Sequence, residues 1–381
     1  MKTKLYWLGG VLTVLALVAT FFAPSPALLS PMASTTPANI SNLESNNYLI
    51  LGFAPYWNLK KLSPDSLTSI THLAYFSLHL KGDGTLYTHV NRREEDPGYT
   101  NYKRLLNQSI DTANKPLILT FMPESQAALT SLLSSPTSRA RAVQTILDKF
   151  AESNAYGINF DFEPLGDSSP ILRSNYTALV QEVSAQLKSR AQLSISLYAS
   201  AASKPRIWDL TALSPLVHYF VVMTYDYTLP GSPVSGPNSP LRGAGTLFEH
   251  DITQNIAQIS RLVPPRQLLL GIPFYGYEWD TPTSTKYAPT DSRGSVASLE
   301  RIQTMLDNQT LELLWDRNSL TPYGISSSSG QTTQIYFENA TSLKLKLDFV
   351  RAANLGGIAI WALGYEGNNS WVWPTIRSLN N

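Results

Sequence analysis

Eight short apolar runs, separated by polar stretches of helical character, constrain this chain more than any other feature of its sequence. They fall at 49–54, 72–76, 117–121, 157–161, 193–197, 220–225, 268–273 and 357–361. Runs this short read as strands, and the segments 101–113, 139–153, 174–189, 251–262 and 341–354 between them read as helices. Strands alternating with helices pair in parallel, because each crossover helix returns the chain to the same end of the sheet. Eight such units predict an α/β architecture, a closed (β/α)8 TIM barrel. A doubly wound open sheet is the alternative, but no glycine-rich phosphate loop follows the first run.

One interval breaks the rhythm. Between Tyr275 and Gly357 the chain contains two strand-like runs, 311–315 and 334–337, and a helical stretch, 298–306. A small α+β insertion at 280–340, between strands 7 and 8, accounts for them and would wall one side of a cleft at the barrel top. The serine run 326–329 reads as a loop tip. The barrel domain as a whole is placed at 47–381.

The N-terminus has a different character. Lys2 and Lys4 precede an uncharged apolar run over 5–22, the pattern of a signal peptide or a membrane anchor at 1–23. Cleavage after Ala23, Ala27 or Ala33 fits. The basic flank places the remainder outside the cytoplasm, secreted or anchored. Residues 24–46, rich in Pro, Ser, Thr and Asn, read as a flexible spacer.

Composition narrows the partners. The net charge is +1 with no dense Lys/Arg block, so nucleic acid is not expected. There is no cysteine, which excludes disulfides and thiolate metal sites. The histidines at 72, 79, 89, 218 and 250 have no ligand spacing, so neither metal nor cofactor is expected. A hard ion held by carboxylates alone is the remaining metal reading. A monomer is expected.

The segment 156–164 carries the chemistry. Side chains of a strand alternate between faces. Gly157, Asn159, Asp161 and Glu163 therefore share one face, and Ile158, Phe160 and Phe162 share the other. The apolar face can pack on the helical ring, which turns the polar face into the barrel. Two carboxyls inside a barrel are costly to bury, and packing alone would not favour them. Pro164 cannot donate to the ladder, so the strand should end there, with Glu163 at the end where this architecture holds its active sites. Like charges this close cannot both ionise cheaply. One acid is held protonated, as a general acid requires.

This segment resembles the fourth-strand signature of glycoside hydrolase family 18, the chitinase-like family, Asp-Gly-x-Asp-x-Asp-x-Glu. The last two acidic positions are Asp161 and Glu163, the second is Asn159 and the first is Tyr156. The text from Asn159 to Pro164 is closest to the branch of spore-cortex and peptidoglycan-directed hydrolases. The segments Met223 to Asp226, Gly271 to Gly276 and Ile358 to Leu363 resemble the family's sixth, seventh and eighth strands, in the same order. The resemblance implies a retaining glycosidase without a protein nucleophile, in which the substrate's 2-acetamido oxygen attacks the anomeric carbon. Glu163 would be the acid and base, Asp161 would orient the acetamido N–H, and Asn159 would hydrogen-bond Asp161. Tyr225 would donate to the acetamido oxygen, Asp226 and Tyr275 would help bind the sugar, and Trp361 would form its floor. The implied partner is a β-1,4-linked N-acetylhexosamine glycan, peptidoglycan or a related envelope polymer. A chitinase and a non-catalytic glycan-binding protein are the alternatives.

Overall fold

Ser63–Pro64, Asp96–Pro97, Ser135–Pro136 and Ser169–Pro170 each open a helix. In all four the first side chain accepts a backbone N–H of the opening turn and proline takes the first helical position, where its missing N–H costs nothing. Three of these helices, Pro97–Leu106, Pro136–Ser153 and Pro170–Leu187, begin three or four residues before the starts expected from apolar periodicity. The computed structural model describes residues 47–381 except 109, 111, 189, 246, 247 and 329. The leader or anchor and the spacer lie outside the described residues.

The first seven barrel strands are β1 (Leu49–Pro55), β2 (His72–Leu80), β3 (Leu117–Pro123), β4 (Gly157–Phe160), β5 (Gln192–Tyr198), β6 (Tyr219–Met223) and β7 (Leu268–Pro273). The insertion supplies β8 (Tyr275–Thr281), β9 (Ser295–Ser298), β10 (Glu312–Asp316), β11 (Thr321–Ser328) and β12 (Gln331–Tyr336). The last barrel strand is β13 (Gly357–Trp361), which pairs in parallel with both β1 and β7 and closes the barrel. The architecture is the expected (β/α)8 barrel with its surrounding helices.

The two faces of the strands bury different surfaces. Outward residues such as Ile50, Leu119, Ile158, Phe160, Ile195 and Ile358 join the large core under the helices. Inward residues such as Leu51, Phe53, Phe76, Val221, Leu269 and Ala359 form a smaller cluster inside the barrel. Around β3 to β5 that interior turns polar, with Thr120, Asn159, Ser194 and Ser196 all buried. Gly157 lets β4 approach β5: a Cβ there would stand 2.4 Å from the carbonyl oxygen of Gln192.

The insertion is a five-stranded antiparallel sheet, order β9–β8–β12–β11–β10, with helix Leu299–Asp307 following β9. Its first strand starts at Tyr275 rather than near 280. The seventh barrel strand passes almost directly into the sheet, with Phe274 between them. Strand β11 continues to Ser328, paired with Gln331, so the serine run is mostly strand. Among the described residues no helix is long and apolar enough to cross a membrane.

Candidate active site

The ladder of β4 stops at Phe160, earlier than the expected end before Pro164. One further backbone bond, from the N–H of Asp161 to the carbonyl of Phe121 at 2.9 Å, carries the chain to the mouth. The alternation outlasts the ladder. Phe160 and Phe162 are buried in the outer core, Asp161 is buried on the inner side and Glu163 is half-buried beyond it. Gln126 fixes the outgoing loop, donating to the carbonyl of Glu163 at 2.5 Å and accepting from the N–H of Leu165 at 2.9 Å.

Burial, reinforced by the charge of Glu163, pushes the Asp161 carboxyl well above the ordinary carboxylate range, against a hydrogen bond from Ser196 that favours ionisation. Burial also raises Glu163; a hydrogen bond from Tyr198 opposes this and the charge of Asp226 adds to it. Both acids are thus raised, where the sequence leads to the expectation that one of them holds a proton. Burial is the largest cause for both acids, so desolvation outweighs the hydrogen bonds that favour ionisation.

Asn159 does not hydrogen-bond Asp161. Its amide donates to the Ser196 hydroxyl at 3.0 Å and its carbonyl accepts from Ser194 at 2.9 Å. It therefore reaches Asp161 through Ser196. One carboxylate oxygen of Asp161, Oδ1, is buried with no hydrogen-bond partner among the described residues.

Past the end of β6, Tyr225 lies with its ring above Gly271, where a Cβ would come within 3.0 Å of the ring. Among the described residues its hydroxyl has no hydrogen-bond partner, and it sits in the field of Asp161, Asp226 and Glu163. Asp226 adopts a left-handed backbone, φ +63°, uncommon outside glycine and costly unless its surroundings enforce it. Asn238 enforces it. Its side chain accepts the Asp226 N–H at 2.8 Å and donates to the Tyr275 carbonyl at 3.1 Å. Asp226 Oδ1 accepts from the hydroxyls of Tyr275 at 2.5 Å and Tyr277 at 2.7 Å. Asp226 is open to solvent yet has protein around its carboxylate, as a residue in a concave mouth must. Burial raises its pKa and the two tyrosines pull it back. Tyr275, expected to contact the sugar, is itself buried with its hydroxyl committed to Asp226.

Across the mouth, Trp361 ends β13 with its indole edge-on to Phe76 at 4.6 Å, Phe53 at 5.9 Å and Trp57 at 6.4 Å. It is partly open, as a stacking platform must be. Tyr156 stands just before β4, at the other end of the strand from Glu163. It is exposed, with its ring 5.1 Å from that of His72. Its departure from the family signature therefore falls at the barrel bottom, away from the carboxylates.

Tyr198, Tyr277, Asn238, Ser194, Ser196 and Gln126 were not singled out from the sequence. The serines and Tyr198 had a signal, since they alternate with the apolar residues of β5. Gln126 at a helix start, Asn238 in a loop and Tyr277 in the insertion sheet meet the site only through the tertiary fold, and no local pattern marks them. Among the described residues no group of three or more acidic or histidine side chains is placed to hold a metal. A cavity of about 540 Å³ opens beside Glu163, lined in part by Tyr198, Tyr225 and Asp226.

Comparison with known proteins identifies the family and the fold. The family model described as glycosyl hydrolases family 18 matches residues 49–366. The cortical fragment-lytic enzyme of Bacillus anthracis is 24% identical over 312 residues, covering 79% of this chain and 66% of that enzyme. This chain thus spans just under two thirds of that relative's length. A probable di-N-acetylchitobiase of Dictyostelium discoideum is 28% identical over 262 residues, 58% of this chain and 67% of that protein. Two solved structures share the fold. One is a class V chitinase from Nicotiana tobaccum, TM-score 0.74 at 18% identity over 87% of this chain and 99% of that one. The other is a family 18 N-acetylglucosaminidase from Paenibacillus barengoltzii, TM-score 0.72 at 19% identity over 87% and 100%.

Proposed function

Because this chain belongs to glycosyl hydrolases family 18, a glycosidase family, we propose that it hydrolyses β-1,4-linked N-acetylhexosamine glycans with retention of anomeric configuration, by substrate-assisted catalysis. The observation that carries this reading is the pair Asp161 and Glu163 at one barrel mouth, both raised above the usual carboxylate range by burial. In the first step the substrate's acetamido oxygen bonds to the anomeric carbon as the glycosidic C–O bond breaks, and Glu163 gives its proton to the leaving oxygen. In the second, water adds to the anomeric carbon, its proton returns to Glu163 and the acetamido group is restored. Asp161 takes the acetamido N–H and offsets the positive charge that grows there. Its unpartnered Oδ1 supports that role. Tyr225, with its hydroxyl unclaimed, donates to the acetamido oxygen. Asp226, braced by Tyr275 and Tyr277, binds the sugar, and Trp361 floors it.

Peptidoglycan or a related envelope glycan is the favoured substrate, supported by Asn159 in the signature and by likeness to the cortical fragment-lytic enzymes. Export supports it too: the basic flank and apolar run over 2–22 read as a secretion or anchoring signal. Purified protein should release reducing ends from peptidoglycan strands or N-acetylglucosamine oligomers, with the β-anomer appearing first by NMR. Glu163→Gln should cut the rate by about 10²–10⁴-fold with an unchanged circular dichroism spectrum. An α-anomer as first product, or a Gln variant as fast as the parent, overturns the mechanism.

A further inference from the structure

The cavity beside Glu163 is lined by two cations, Lys204 and Arg206, that a neutral sugar does not require, together with the acids Glu163, Asp226 and Glu249. Its inner wall includes Glu163, Tyr198, Tyr225 and Asp226, and its outer wall includes Lys204 and Arg206 from the turn after β5. Strand β13, which ends in Trp361, stands directly across the closed barrel from β4, and Trp361 does not line this cavity. A sugar over Trp361 with its anomeric carbon at Glu163 therefore leaves this space to the unit beyond the scissile bond.

The two cations are held on a fixed wall. The Pro205 carbonyl accepts from the N–H of Ser168 at 2.7 Å, and the Arg206 carbonyl accepts from Arg173 at 3.0 Å. Arg206 also lies over the Tyr198 ring, 5.4 Å from its centroid, and donates through Nη1 to the carbonyl of Gly166. Both loops that carry the site are thus tied together. Arg206 Nη2 and the exposed Lys204 ammonium have no hydrogen-bond partner among the described residues. Glu249 faces the cavity from another side, with its carboxylate 3.0 Å from His250. A guanidinium and an ammonium with open donors on one wall favour a carboxylate over a hydroxyl, since charge-assisted hydrogen bonds are about twice as strong as neutral ones.

We infer that this cavity binds a carboxylate carried by the leaving-group sugar. The substrate is then an acidic glycan in which an N-acetylhexosamine at Trp361 is followed by a hexosamine bearing a carboxylate, on a lactyl ether or on a short peptide attached to it. The inference rests on the glycosidase reading for its orientation.

Its test measures binding to the inactive Glu163→Gln protein by calorimetry. The ligands are a neutral N-acetylglucosamine tetramer, a tetrasaccharide with free lactyl carboxylates, and the same glycan with those groups linked to peptides. The acidic ligands should bind about tenfold tighter than the neutral one. That advantage should shrink about tenfold at about 0.5 M salt and with Lys204→Glu or Lys204→Met added. Preference for the lactyl or the peptide ligand identifies the source of the carboxylate. Equal affinity for acidic and neutral ligands, or a preference that survives Lys204→Glu, overturns the inference. A native protein that cleaves neither glycan while the Gln variant retains Lys204-dependent binding would sink the glycosidase reading and keep the anion site. Cleavage of neutral and acidic glycans at equal efficiency would do the reverse.

Discussion

Asp161 is an expensive residue for the fold. It is buried, one carboxylate oxygen has no partner, and no cation pairs with it among the described residues. Its folded pKa lies above the unfolded value of about 3.9, so the folded state binds the extra proton. Stability is then lost as pH rises from near that unfolded value up through the raised folded one. Asp161→Asn removes the titration. The variant should be far less active on any substrate the parent cleaves, yet melt higher at neutral pH, by about 2–4 °C for each kcal/mol relieved. The gap should close near pH 4. A variant that melts lower than the parent at pH 7 would contradict this account of burial. Tyr198 acts on the neighbouring acid with the opposite sign. Its hydroxyl favours the ionised form of Glu163. In Tyr198→Phe the Glu163 carboxyl should therefore hold its proton to higher pH, and the alkaline limb of the rate profile should move upward while kcat falls. An unmoved or lowered limb would leave Tyr198 with a packing role only.

Where β12 leaves the insertion and the helix Ala340–Ala352 begins, the chain buries an ion pair. Glu338 and Lys346 lie 2.7 Å apart and are 2% and 0% exposed, one just before that helix and one within it. Burial raises the Glu338 carboxyl and lowers the Lys346 ammonium, and each partly restores the other. Such a pair adds little over apolar packing while intact, but breaking it strands a charge. Lys346→Met should cost about 3–5 kcal/mol in urea unfolding, and Glu338→Gln combined with Lys346→Met should recover most of that loss. A single variant as destabilised as the double would show that the two sites are not coupled. Three other helices show a limit of reading by periodicity. They begin three or four residues before the periodic pattern does, at Asp96–Pro97, Ser135–Pro136 and Ser169–Pro170, because a capping residue followed by proline opens a helix without adding to its apolar stripe.

At the scale of the whole chain, eight apolar runs were enough to specify a barrel, since parallel pairing and helical crossovers leave few ways to bury strands that are apolar on both faces. The acids at its mouth were legible for the same reason: polar residues on one face of a buried strand must point inward. Asn238 and Tyr277 were not legible, because they reach Asp226 from segments whose approach only tertiary folding sets. That dependence makes the insertion part of the machine. The N–H of Leu299 donates to the Phe274 carbonyl at 3.1 Å, and the N–H of Glu300 to that of Tyr365 at 3.0 Å. Ala297, Ile302, Leu311, Ile335 and Phe337 of the insertion belong to the same apolar cluster as the barrel strands. A sheet sharing one core with the barrel cannot melt alone without exposing that core. Calorimetry of residues 47–381 should therefore give one transition with calorimetric and van't Hoff enthalpies equal, and glycan binding should vanish at that same temperature. Two resolved transitions, with binding lost in the first while the barrel's circular dichroism persists, would show that the insertion folds as a separate unit and that Asp226 owes its bracing to a detachable wall.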